Sequence, residues 1–294
     1  MTALPLPPIR KETSTIARYL RTLKAGRYNL VTTYPVTTRW DCPKARAEKK
    51  NHTAKAQQLV NDRNSRIALT AIIAENFSDS PTAFFVTPSF DAAHYPALTK
   101  KSEYWAFCCS EAKNYIKRLR RLANRRGGDI RYVFSVGIGE GGRWHFHMLI
   151  DGVTAEDIRD SWGRGDVDYH HLYADKKWVA DRDWYCKADN VNPVAIAKYM
   201  MHNASCRLVG QHPWHVSRNC VRPKAQPATI ISDNTSIEPP EGAEVLDREL
   251  SETLYSSFQF IENIDPQHAT APKHHRKRRT APPPVPRSES TESL

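Results

Sequence analysis

Apolar and polar side chains alternate twice along residues 129–151, on either side of a short glycine turn. In DIRYVFSVGIG (129–139), Tyr132, Phe134, Val136 and Ile138 share one parity. In WHFHMLID (144–151), Phe146 and Met148 share one parity and His145 and His147 the other. A period of two marks a half-buried strand, so the two runs predict an antiparallel hairpin turning at EGGR (140–143). Upstream, AFFVTPSFD (83–91) reads as an apolar strand. EYWAFCCSEAKNYIKRLRRLANRRGG (103–128) changes to helical spacing, with Trp105, Cys108, Cys109, Ala112, Tyr115, Ile116, Leu119 and Leu122 on one stripe and Gly127-Gly128 as the stop. TAEDIRDSW (154–162) predicts a short helix, with Thr154 as its cap and Asp157 as the capping-box acid. GDVDYHHLYA (165–174) predicts a strand, and NPVAIAKYMMHNA (192–204) a helix capped by Asn192 with Pro193 in its first turn.

Strand, helix, strand, strand, helix, strand is the βαββαβ order of ferredoxin-like folds. The predicted class is therefore α+β, with a central antiparallel sheet carrying the His145/His147 strand. We expect three regions: a helical N-terminal flank (1–80), a central domain (81–221), and a mostly disordered basic and proline-rich tail (222–294). Within the flank, YNLVTTYPV (28–36) could form a short strand, and residues 42–77 read as one long helix or two. That helix either packs on a core elsewhere or forms an arm that contacts DNA. In the tail, ELSETLYSSFQFIENI (249–264) could form one amphipathic helix or a partner-binding segment, and KHHRKRR (273–279) is a basic run.

Charge adds a partner. With 43 Lys and Arg against 32 Asp and Glu in 294 residues, the net charge is +11, which favours nucleic acid or another anionic surface. Lys113, Lys117, Arg118, Arg120, Arg121, Arg125 and Arg126 crowd the polar side of the 103–128 helix against Glu111 alone. That side is either a solvated face or a phosphate-contacting edge. Six cysteines without a CxxC pair, no apolar leader and no long apolar run suggest a reduced cytoplasmic setting with no membrane partner. No P-loop sequence appears, so a fused helicase is not expected.

Two imidazoles two residues apart on a strand point the same way, about 7 Å apart along the chain. They can grip one divalent cation, with Glu140 near enough in sequence to add an oxygen ligand, or they can be ordinary satisfied side chains.

GEGGRWHFHMLIDG (139–152) resembles the His-hydrophobic-His (HUH) motif of rolling-circle replication initiators and related single-strand endonucleases. FFVTPSFD (84–91), SWGRGDVDYHHL (161–172) and VAIAKYMMHNA (194–204) resemble further motifs of those proteins, in order, and the resemblance covers about residues 80–220. Trp144 stands where proline is frequent, and Ala195 replaces the first tyrosine of the usual Tyr-x-x-Lys-Tyr helix. The resemblance implies an enzyme that nicks and rejoins single-stranded origin DNA of a plasmid or phage through a 5′-phosphotyrosine intermediate. It implies Mg or Mn held by His145, His147 and Glu140. Tyr199 becomes the nucleophile, with Tyr185 as the alternative, and Lys198 acts near the phosphate or the metal. DNA contacts are expected from Lys117, Arg120, Arg121, Arg143 and Arg218, and host helicase and polymerase are the implied partners. Trp214 could serve DNA or structure. A catalytically silent single-stranded DNA-binding module, a transposase and a relaxase remain the alternative readings.

Overall fold

The computed structural model of the protein describes residues 18–35, 55–139, 141–172, 186–187, 190–203, 206–207, 211–232, 235–253 and 256–265. In chain order these form β1 (Arg18–Ala25), β2 (Tyr28–Pro35), α1 (Lys55–Asn76), β3 (Phe84–Pro88), α2 (Lys101–Arg125), β4 (Arg131–Ile138), β5 (Trp144–Asp151), α3 (Ala155–Trp162) and β6 (Val167–His171). The short pair β7 (Cys186–Lys187) and β8 (Asn190–Val191) follows, then α4 (Pro193–Asn203), β9 (His215–Val216), β10 (Thr229–Ile231), β11 (Glu244–Thr253) and β12 (Ser256–Ile264).

The central sheet has the order β6-β3-β5-β4-β9, with every pairing antiparallel. Its four longer strands and the helices α2 and α3 make the βαββαβ unit read from the sequence. The hairpin β4–β5 registers Val136 with Phe146 and Ser135 with His147. Alternation then decides what each face meets. Trp144, Phe146, Met148 and Ile150 enter a core with Trp105, Tyr115 and Leu119 of α2 and Ile158 and Trp162 of α3. Leu149, Val133 and Phe85 face the other way, onto Leu69, Ile72 and Ile73 of α1 and Ile196, Ala197 and Met200 of α4.

The local signals explain the helices. Thr154 accepts from the Asp157 N–H at 3.2 Å while Asp157 accepts from the Thr154 N–H at 3.0 Å, a complete capping box. Asn192 Oδ1 accepts from the Ala195 N–H at 3.0 Å and caps α4. On α2 the buried stripe matches the expected one, except that Ala123 and not Leu122 closes it.

The flanks depart from expectation. The sequence predicts a helical N-terminal region, yet β1 and β2 form a hairpin before α1. It predicts a mostly disordered tail with a helix over 249–264, yet β11 and β12 form a second hairpin there. With β10 these strands build a second antiparallel sheet, β10-β1-β2-β12-β11. Leu23, Tyr28, Leu30 and Phe260 of this sheet pack on Ala71 and Ala74 of α1 and Val194 of α4. The layers therefore run α2/α3, central sheet, α1/α4, second sheet. A helix between two sheets must be apolar all round, and Leu69 to Ala74 are indeed all buried.

Candidate functional site

The two imidazoles of β5 lie on the face that α1 and α4 cover. The sequence suggests an open face; instead His147 is only 1% exposed. Its ring stacks on Phe85 of β3, with centroids 5.6 Å apart and planes at 25°. The Tyr199 ring of α4 meets it edge-on, with centroids 4.8 Å apart. Tyr199 also lies 6.1 Å from Phe85, so both rings touch the same aromatic floor.

His145 Nε2 and His147 Nε2 are 2.9 Å apart. Their outer nitrogens fix what that contact can be. His145 Nδ1 is 3.3 Å from the Arg143 carbonyl oxygen, which only accepts, so Nδ1 carries the proton and Nε2 of the neutral ring offers a lone pair. Burial pushes the His145 pKa below the ordinary imidazole value, against the opposing pull of the Arg143 carbonyl, which keeps the ring neutral at neutral pH. His147 Nδ1 is 3.1 Å from Thr87 Oγ1, a hydroxyl that can donate or accept. When Thr87 donates, His147 Nε2–H can donate to His145. When Thr87 accepts, two lone pairs converge, and only a proton or a cation between them relieves the repulsion.

The arrangement fits a divalent cation. Imidazole nitrogens bind metals at about 2 Å, so two of them can share one ion only when they lie within about 4 Å of each other, as this pair does. Each ring has the outer hydrogen-bond partner that metal-ligating histidines need. Ser135, the cross-strand neighbour of His147, is 1% exposed, and its Oγ has no hydrogen-bond partner among the described residues. Among those residues no group of three or more His, Cys, Asp or Glu is placed to hold a metal. Glu140 and Tyr185 lie outside the described residues.

Beside His145 opens a pocket of about 400 Å³, lined in part by Thr87, Asp91, Arg143, Trp144 and Asp166. Arg143 lies over the Tyr95 ring, 4.8 Å from its centroid, and donates to the Phe90 carbonyl at 2.8 Å. Its guanidinium is thus held at the mouth of the site.

Other expected residues lie elsewhere. Lys198 forms an ion pair with Asp247 of β11 at 2.9 Å, turned toward the second sheet. Lys117, Arg120 and Arg121 sit on α2, across the central sheet from the histidines. Arg120 pairs with Asp129 at 3.9 Å, and Arg218 is exposed after β9. Trp214 donates to Ser65 Oγ at 2.9 Å, an anchor onto α1. Sequence reasoning passes over Phe85 and Asp247. The alternation of β3 could have put Phe85 under the site, whereas no local signal points from Lys198 to Asp247.

Residues 88–204 match a protein-family model described as a replication-associated protein, of the ORF2 type. That stretch holds both imidazoles and Tyr199, and its similarity supports the replication-initiator class. No curated protein and no solved structure matches the chain. Among the described residues, no helix is long and apolar enough to cross a membrane.

Proposed function

We propose that the protein initiates replication by nicking and rejoining single-stranded DNA, with Tyr199 as nucleophile and a Mg or Mn ion on His145 and His147. The observation that carries this reading is the contact of the Tyr199 ring with His147, whose Nε2 faces that of His145. The tyrosine hydroxyl loses its proton and bonds to phosphorus, the bond from phosphorus to the 3′-oxygen breaks, and that oxygen takes up a proton. The products are a 5′-phosphotyrosine and a free 3′-OH, and the reverse attack reseals the strand. A bound cation would neutralise the phosphate and stabilise the charge that develops during transfer. The chain does the rest: α4 holds the phenol against the sheet, Phe85 floors both rings, and Thr87 and the Arg143 carbonyl orient the imidazoles. Mg and Mn retain water or substrate oxygens as further ligands, consistent with two protein nitrogens. Host helicase and polymerase would extend the released 3′ end.

The test is incubation of the full chain with labelled single-stranded DNA and Mn²⁺, followed by denaturing electrophoresis and peptide mapping. A covalent adduct on the Tyr199 peptide, lost with EDTA, is expected. Intact DNA binding with no adduct would leave the silent binding module instead. A second measurement probes the imidazole pair. Thr87→Val removes the outer partner of His147 while keeping the side-chain shape, so Mn²⁺ affinity by titration calorimetry is expected to fall about 10- to 100-fold. Unchanged affinity would remove Thr87 from the site.

A further inference from the structure

The polar side of α2 is not accounted for by the nicking chemistry. Lys113, Lys117, Arg121 and Arg125 are all exposed and fall at intervals of four residues. They form one stripe about 18 Å long, with steps of about 6 Å. None of the four has an ion pair or hydrogen bond among the described residues. The two acids of α2 are committed elsewhere: Glu103 lies beside Lys100 at 3.6 Å, and Glu111 pairs with Arg164 at 3.3 Å. The other bases on this helix have internal duties. Arg118 donates to the Ser161 and Trp162 carbonyls at the end of α3, and Arg120 covers the Tyr132 ring.

The contrast with α1 is informative. Its Arg63 pairs with Glu249 and its Arg66 with Glu262, each at 2.8 Å. The same chain that neutralises one helix leaves the other with like charges at three successive i, i+4 positions, an arrangement that weakens a helix. An anionic partner removes that penalty.

We infer that this α2 stripe is a docking surface for the phosphate backbone of double-stranded DNA, separate from the strand-cutting site. Three features select the partner. The central sheet lies between the stripe and the histidines, so a strand threaded through the site does not run along the stripe. Single strands are gripped by exposed aromatic rings, but Trp105 and Tyr115 of α2 are buried, and Tyr104 and Phe107 pack on the core. Membrane-surface helices insert apolar side chains, and none of the exposed large hydrophobic residues lies on α2. Arg218 extends the same edge: the neighbouring Ser217 N–H donates to the Tyr132 carbonyl at 2.9 Å, beside Arg120. A surface that holds duplex while the other layer handles a single strand suits a protein acting where duplex opens. The inference does not depend on the identity of the nucleophile or the metal.

The test compares the full chain with a Lys113→Gln, Lys117→Gln, Arg121→Gln, Arg125→Gln variant. Fluorescence anisotropy would follow binding to a random-sequence duplex and to a single strand of equal length across a salt series. Each backbone contact adds about 0.9 to the slope of log affinity against log salt for duplex. The variant is expected to lose about 3 from the duplex slope and at least about 10-fold in duplex affinity, while its single-strand slope changes by less than about 1. A variant that exchanges Lys and Arg at the same four positions should keep the duplex slope, separating charge from helix damage. An unchanged duplex slope in the glutamine variant, or equal losses on both nucleic acids, would overturn the inference.

Discussion

Tyr199→Phe is expected to abolish adduct formation, reducing strand cleavage by at least about 10⁴-fold, while leaving the fold and DNA binding in place. Removing the attacking atom of a covalent mechanism costs far more than removing a positioning group. The phenylalanine ring keeps its packing against His147 and Phe85 and loses only the hydroxyl, so stability should change by about 1 kcal/mol or less. Quantitative cleavage with labelled single strands, alongside binding to the same strands, separates the two effects. An adduct that persists in the variant would move the nucleophile to another residue, with Tyr185 the first to examine. Weak binding accompanied by a lowered melting point would show that Tyr199 mainly fills space.

The second large effect is on stability. Glu262 of β12 has no exposed surface, and its carboxylate accepts from the Tyr28 hydroxyl at 2.5 Å and from Arg66 at 2.8 Å. Arg66 lies 4.0 Å from Asp247, which also holds Lys198. One network therefore links the second sheet, α1 and the helix that bears Tyr199. Glu262→Ala strands a buried guanidinium, and such a loss typically costs about 3–5 kcal/mol. The urea midpoint should fall accordingly, and a fall of less than about 1 kcal/mol would show that the network adds little. The same cluster gives a sign with pH. Burial raises the Tyr28 pKa well above its ordinary value, and the neighbouring Glu262 charge raises it further. Its contribution is present below the unfolded tyrosine value of about 10 and is lost as pH rises toward the folded value.

The central unit was legible because its signals are local. The strands β4 and β5 alternate cleanly, α2 keeps one apolar stripe, and the caps at Thr154 and Asn192 are written in adjacent residues. The same alternation put His145 and His147 on one face, and their family resemblance pointed to the helix of Tyr199. The second sheet was not legible. EVLDRELSET of β11 is made of helix-favouring charged residues, yet β11 pairs only with β12 and lies at the sheet edge, where charge protects an exposed strand. β12 buries Gln259, Glu262 and Asn263 among its apolar residues, which erases the period of two. Its register with β2, such as Ile261 with Val31, joins segments far apart in the chain and leaves no trace in either one alone. The pairing of Lys198 with Asp247 was hidden for the same reason.

The second sheet takes β1 and β2 from before the family-matched stretch and β10, β11 and β12 from after it. Trimming the chain to 88–204 would therefore strip away not decoration but the wall behind the tyrosine helix, uncovering Ile196, Ala197 and Met200, which α1 now shields. The smallest piece that can stand alone in water is thus longer than the piece its relatives share, and insertions or deletions at either extremity will be felt at the phenol.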